Sequence, residues 1–419
     1  MRPAVVRGEQ SMALGAEDYL FGTRRFQRLH ADVFRTRLLM RPVTLIRGPG
    51  AARFLYEEER FDRGGDVLPT WTLRSLQDEG SVFTLAGQAH RVRKALFLGM
   101  MGEASLARLR AAYLSEWERS LAEWSARTAV RLHSELGLML TRAAFRWAGV
   151  PLDAQDERER ARELLAMVEH AGVPGPANWL SRGLRLRAES VARAAVAGAR
   201  AGRPEPEPGT PLAAISSHRD EDGRELDLPT AGVELLNVLR PLVAVGRFLV
   251  FVALALHRHP SWREPLAAGA HAETMAFVQE VRRAAPFFPL AAGRATRPSS
   301  FQGVSFEPGE HVMLDIFATN RDARLWGEPW RFDPARFLGG GTVDRNALVP
   351  QGGGFAESGH RCPGEDPTLL LMAQTAALLA GLSYRVPEQD LRVRLNRIPA
   401  LPESGFVVEE VRAPAGGSR

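Results

Sequence analysis

Cysteine and lysine are almost absent from this 419-residue chain: Cys362 is its only thiol and Lys94 its only lysine. A lone cysteine excludes a disulfide framework within the chain and fits a reducing compartment. No stretch holds about eighteen uninterrupted apolar residues, and residues 1–20 lack a continuous apolar core ahead of a small-residue cleavage site. The expectation is therefore a cytoplasmic protein with no transmembrane segment. The greasiest stretch, residues 241–256, contains Arg247 and reads as an interior helix. Basic runs interleaved with aromatics are also missing. The net charge of +5 is spread among acidic residues, as in 156–163 and 219–224, which argues against nucleic acid as a partner. No Gly-x-Gly-x-x-Gly lies between a strand and a helix, so a fused nicotinamide or flavin domain is not expected.

With 45% hydrophobic and 25% charged residues the chain can bury a large core, read here as one domain over residues 1–419. Helical periodicity covers 104–128, 132–149, 157–171, 184–201, 273–285 and 368–379, and Thr230 reads as the cap of a long helix reaching about 256. The alternating prolines of 203–209 mark a surface loop. Short strands are expected at 43–46, 304–308, 311–316, 384–387 and 406–411. The fold class is mainly α with small β-sheets.

Cys362 sits in a glycine-rich turn, Gln351-Gly352-Gly353-Gly354-Phe355 through Gly359-His360-Arg361-Cys362-Pro363-Gly364-Glu365. A thiolate there can ligate one metal centre, and the best candidate is heme iron. Small residues let backbone approach a flat macrocycle, while amide N–H groups tune the sulfur. The plainer alternative is a buried structural cysteine. A second pattern, Glu280-Val281-Arg282-Arg283, places Glu280 and Arg283 on one helix face. Arg336, in Phe332-Asp333-Pro334-Ala335-Arg336-Phe337, could complete a buried Arg-Glu-Arg triad; the alternative is an ordinary solvated ion pair.

In this order the patterns resemble the heme-thiolate cytochrome P-450 superfamily over nearly the whole chain. The resemblance implies that fold, heme b as cofactor and Cys362 as the iron ligand. His90, Arg93 and Lys94, in Gly87-Gln88-Ala89-His90-Arg91-Val92-Arg93-Lys94, match the basic helix that holds heme propionates. A solvated basic face is the alternative there. Two departures stand out. His360 occupies the place where a usual member has arginine, two residues before the ligand. In the long central helix Ala231-Gly232-Val233-Glu234 is followed by Leu235, so the acid-threonine pair that delivers protons to bound dioxygen is missing.

Arg240-Pro241 and the triple-glycine loop, with Arg146-Trp147-Ala148-Gly149-Val150 and Val386-Pro387-Glu388-Gln389-Asp390-Leu391, look like the fatty-acid peroxygenase branch. That resemblance implies hydrogen-peroxide-dependent hydroxylation of long-chain fatty acids at the alpha or beta carbon, without a redox partner. The substrate carboxylate would bind Arg240 and act as general acid-base, and Pro241 would open the helix beside the iron. An arginine inside an apolar helix is costly unless paired, which supports the anchor; Glu234 is the alternative partner. By resemblance Leu76, Phe83, Ala244, Phe287 and Leu290 line the pocket, though each suits a core equally well. Phe83 cannot relay a proton, which favours hydroxylation over the alternative, decarboxylation to a terminal alkene. Two other classes stay open: a redox-partner-dependent monooxygenase and a non-catalytic heme or lipid binder.

Overall fold

The computed structural model describes residues 4–64, 67–76, 80–172, 175–339 and 343–413. Helices dominate it, arranged around one central helix, Leu228–Arg258. That helix is capped three residues before Thr230: the Asp227 carboxylate accepts from the Thr230 N–H at 2.7 Å, so Asp227 is the cap and Thr230 lies inside the first turn. From Ala231 to Leu256 nearly every side chain is buried. The helix is long and apolar enough to cross a membrane, but the protein itself covers 94% of its most apolar window. Pro241 does not interrupt it, and its ring simply leaves the Asn237 carbonyl without the usual i+4 donor.

Helices Leu132–Ala148, Glu157–Glu169, Pro176–Arg200 and Glu365–Gly381 pack around this axis. Gly232 lets Pro176–Arg200 cross closely, since a Cβ there would lie 2.5 Å from Arg193 Cγ. Pro176–Arg200 begins a turn and more ahead of the expected 184, because Pro176 serves as a first-turn proline after Gly175. Glu365–Gly381 likewise starts at Glu365, directly behind the cysteine turn, with Glu365 and Asp366 favourably placed at its N-terminal end.

Three sheets flank the helices. The largest runs in the order Ala4–Glu9, Val33–Leu38, Arg41–Ile46, His311–Asp315, Leu290–Ala295, Phe61–Asp62. Val43–Ile46 pairs in parallel with His311–Leu314, which in turn pairs antiparallel with Leu290–Arg294. Ser383–Arg385, Val407–Arg412 and Ala129–Arg131 form a second sheet.

The helix His271–Ala284 ends where Ala285, extended ahead of Pro286, leaves the α region. Glu280 and Arg283 on it are fully buried and bidentate, at 2.7 Å for each N–O pair. Arg336 Nε lies 3.3 Å from the same carboxylate, and the Asp333 N–H donates to it at 2.9 Å. The remaining Arg283 donors meet the carbonyls of Asn320 and Pro329. This knot ties the helix to the loop that leads to the cysteine turn. Removing its only anion leaves a buried guanidinium unpaired, so Glu280→Ala is expected to destabilise the protein by about 3–5 kcal/mol. Arg336→Ala, whose side chain is 15% exposed, should cost clearly less. Chemical denaturation followed by circular dichroism gives the comparison.

Candidate active site

The cysteine turn is fixed from both ends by Gln351. Its carbonyl accepts the Cys362 N–H at 3.0 Å, and its side-chain amide donates to the Gly364 carbonyl and to Thr368 Oγ1. The Gly364 N–H points to Cys362 Sγ at 3.4 Å. The triple glycine has a further reason within the fold. Gly352 and Gly354 have φ of +98° and +70°, and a Cβ on either would press within 2.9 Å of Tyr56. Their smallness admits Tyr56 behind the turn. Burial pushes the Cys362 thiol up, while the Gly364 N–H and the Lys94 charge pull it down. A sulfur so placed is held as thiolate by a metal cation bonded to it.

Beneath the turn, Glu365 accepts from Arg282 Nη2 at 2.6 Å and from Arg361 Nε at 2.6 Å. Burial opposes ionisation, yet Arg282 and Arg361 hold Glu365 below the usual carboxylate range. The Arg361 beside the ligand is thereby committed to a protein carboxylate.

The basic helix Gly87–Gly99 delivers His90 and Lys94 to the cysteine side. The His90 and His360 rings stack with centroids 4.1 Å apart, and Lys94 Nζ donates to the Arg361 carbonyl. Arg63 joins them, its guanidinium 4.7 Å from the Tyr56 ring centroid and its Nη2 buried without a hydrogen-bond partner. The group is short of negative charge. Burial, then Lys94 and Arg63, pushes His90 down to about 4, and burial with Arg63 and His90 holds His360 well below its ordinary value. Burial lowers Lys94 to about 8. Among the described residues no carboxylate hydrogen-bonds to any of these four. Four basic groups with donors to spare are the chemistry that two carboxylates of a macrocycle would satisfy, so the residues present fit heme b, with Cys362 as its ligand and this cluster at its edge. Arg63 belongs to no motif, and only the fold reveals it.

Arg93 departs from its expected place. It turns to the central helix, where Arg93 Nη1 lies 2.6 Å from Glu234 Oε1. Glu234, wholly buried, also accepts from the Val82 N–H at 2.9 Å and from Asn237 Nδ2 at 3.0 Å. Arg240 is not paired to it: Arg240 Nη2 donates to Asn237 Oδ1 at 3.0 Å, and Nη1 is buried without a hydrogen-bond partner. Burial, with Arg185 nearby, pushes Arg240 down to about 9, which leaves it cationic at neutral pH.

The expected pocket residues are distributed unevenly. Phe83 and Phe287 pack against the core of the central helix, with Phe287 5.1 Å from Phe248 between ring centroids. Ala244 is buried on that helix one turn beyond Arg240, and Leu76 is buried at the end of the short helix Thr70–Leu76. Leu290 instead packs with the cluster beneath the large sheet, which includes Phe21 and Phe34.

The basic cluster predicts heme retention. Arg63→Ala and Lys94→Ala should each release heme roughly tenfold faster, the loss of one charge-assisted contact. Transfer to apomyoglobin measures the rate, and an unchanged rate would return these residues to the status of a plain basic surface.

Comparisons with known proteins agree with this geometry. The cytochrome P450 family profile matches residues 274–366, the stretch from the Glu280 helix to the cysteine turn. Cytochrome P450 120 of Synechocystis sp. is 27% identical over 436 aligned positions, covering 90% of this chain and 92% of that protein. Among solved structures, cytochrome P450SP alpha (CYP152B1) superposes with a TM-score of 0.94 at 38% identity, over 98% of this chain and all 100% of that one. Cytochrome P450EX alpha (CYP152N1), solved with myristic acid, gives 0.94 at 34% identity over 99% and 100%. A variant of cytochrome P450 OleT in complex with arachidonic acid gives 0.95 at 31% over the full length of both. At 38% identity and a TM-score of 0.94 over nearly the full length of both chains, the chain belongs to the cytochrome P450 superfamily, in its CYP152 branch, and is a heme-thiolate oxidoreductase whose heme b iron is ligated by Cys362.

Proposed function

We propose that the protein is a cytoplasmic fatty-acid peroxygenase that hydroxylates long-chain fatty acids at the alpha or beta carbon with hydrogen peroxide. One observation carries the reading: Arg240 holds a buried positive charge whose Nη1 has no hydrogen-bond partner among the described residues, inside an apolar helix. Such a group wants an anion with two oxygens, and a carboxylate matches the guanidinium fork. Phe83, Ala244 and Phe287, in or against the apolar core around the central helix, would supply a wall that suits a hydrocarbon tail. The complexes of two similar structures with myristic and arachidonic acid support that substrate class.

Heme bound at Cys362, with hydrogen peroxide, supplies the oxidant that converts R–H to R–OH, peroxide leaving as water. The chain's own residues supply position. Arg240 holds the carboxylate and so presents the carbon atoms next to it. The central helix offers Leu235 rather than an alcohol after Glu234, and Glu234 is occupied by Arg93, Val82 and Asn237. Neither can ferry a proton to the oxidant. The carboxylate on Arg240 then serves as the general acid-base, taking the proton from one peroxide oxygen and returning it to the other. This arrangement needs no protein that feeds electrons. Phe83 adds no proton donor near the carboxylate end, which favours hydroxylation over decarboxylation.

Arg240→Ala should reduce peroxide-driven turnover of palmitate by about a hundredfold or more, since each charged hydrogen bond to the carboxylate contributes about 1.5–3 kcal/mol. Arg240→Lys should recover part of it. The pH response separates the two cations. Only the protonated form binds, so wild-type affinity should fall as pH rises through about 9, the value to which burial lowers Arg240. A lysine, starting lower and buried alike, should lose affinity at a lower pH. Products identified by mass spectrometry and dissociation constants from the heme absorbance between pH 6 and about 10 test this, and wild-type turnover by Arg240→Ala would end the proposal.

A further inference from the structure

The anchor stands close to a carboxylate that could silence it. Glu234 lies on the same helix, six residues before Arg240, and a direct ion pair between them would neutralise the charge that a substrate carboxylate needs. The structure keeps them apart through Asn237, midway between the two. The amide has one orientation that satisfies both neighbours. An ionised Glu234 only accepts, so Asn237 Nδ2 faces it at 3.0 Å; Arg240 only donates, so Asn237 Oδ1 faces it at 3.0 Å. Glu234 itself is balanced from another element, by Arg93 of the Gly87–Gly99 helix at 2.6 Å. Arg93, Glu234, Asn237 and Arg240 are all buried, at 6%, 0%, 4% and 4% exposure, so water screens none of these charges. The other charged group facing Arg240 is Arg185, from the Pro176–Arg200 helix, and it holds Glu189 at 2.6 Å. His218 is the titratable group facing Arg93.

We propose that Arg93, Glu234 and Asn237 form a charge-spacing relay in which Arg93 neutralises Glu234 and Asn237, a positioning residue, holds Arg240 without neutralising it, leaving one uncompensated positive charge for an incoming carboxylate. The proposal deepens the reading of Arg240 as the anchor and rests on it. It also gives the neighbouring residues of the basic helix separate duties: His90 and Lys94 face the cysteine side, and Arg93 governs the charge at the substrate side.

The test compares myristate binding to heme-loaded variants, read from the heme absorbance and by calorimetry, with imidazole as an uncharged control. Arg93→Gln exposes Arg240 to an unbalanced Glu234 and should weaken myristate binding roughly tenfold or more, with KM rising more than kcat falls and imidazole affinity unchanged. Arg93→Gln combined with Glu234→Gln removes both charges and should restore affinity towards the wild-type value. A purely structural role predicts the opposite, a double variant worse than either single one. Asn237→Asp places a carboxylate directly on Arg240 and should weaken myristate without affecting imidazole. Glu234→Gln alone should bind myristate at least as tightly as wild type, and it keeps the question decidable if Arg93→Gln fails to fold. Wild-type affinity in Arg93→Gln, no rescue in the double variant, or tenfold weaker binding in heme-replete Glu234→Gln would overturn the relay. Wild-type affinity in Arg240→Ala would instead remove the anchor on which it rests.

Discussion

Placing a full positive charge at Arg240, inside a helix whose other faces are apolar, forces the neighbouring chemistry into its observed form. Desolvation penalises the cation, and a nearby protein carboxylate would be the simplest remedy. Glu234 is close enough in sequence to provide one, yet its oxygens are spent on Arg93, Val82 and Asn237. What reaches Arg240 is a neutral amide oxygen. The interior is left with an appetite for an anion, met by a molecule from outside.

The same imbalance recurs at the cysteine side. Burial, with the Arg63 charge nearby, disfavours protonation of His90, Lys94 and His360, and among the described residues no carboxylate hydrogen-bonds to them. Several other buried arginines are paired with carboxylates: Arg283 with Glu280, Arg282 and Arg361 with Glu365, Arg142 with Glu157. Against those pairs the cysteine-side group and Arg240 are informative. The cysteine-side group fits the two carboxylates of heme, whose iron Cys362 supplies with negative charge, while Arg240 keeps a donor with no hydrogen-bond partner among the described residues.

Much of this was legible in the sequence, and the reasons differ by residue. Cys362 stood out because it is alone, and the Glu280–Arg283 pair because three residues along a helix guarantee proximity. The helix-rich fold followed from periodicity. Boundaries slipped where competing caps were available: Asp227 outcompeted Thr230, and the helix expected from 184 already opens at Pro176. The Arg93–Glu234 contact joins residues 141 positions apart, and Arg63 reaches the heme edge from the segment after a two-residue strand. No local spacing encodes either one. The glycines were recognised for their smallness, but their neighbour, Tyr56, lies nearly three hundred residues earlier in the chain.

The chain's arginine bias has a consequence at the anchor. Burial lowers Lys94 to about 8 and Arg240 to about 9, although an unperturbed arginine is much the more basic of the two. Arg240 therefore undergoes the larger drop and still remains charged in neutral solution. A lysine suffering the same desolvation would sit near neutrality and would present a mixture of charged and uncharged forms. It would also offer one point charge where the planar fork offers two parallel donors. Lys94 tolerates its position because a carbonyl and the cysteine sulfur lie beside it, and the latter is anionic when bound to iron. At Arg240 the neighbour is a neutral amide oxygen rather than a counter-ion. A cation that must stay charged while waiting in an apolar wall has to be an arginine.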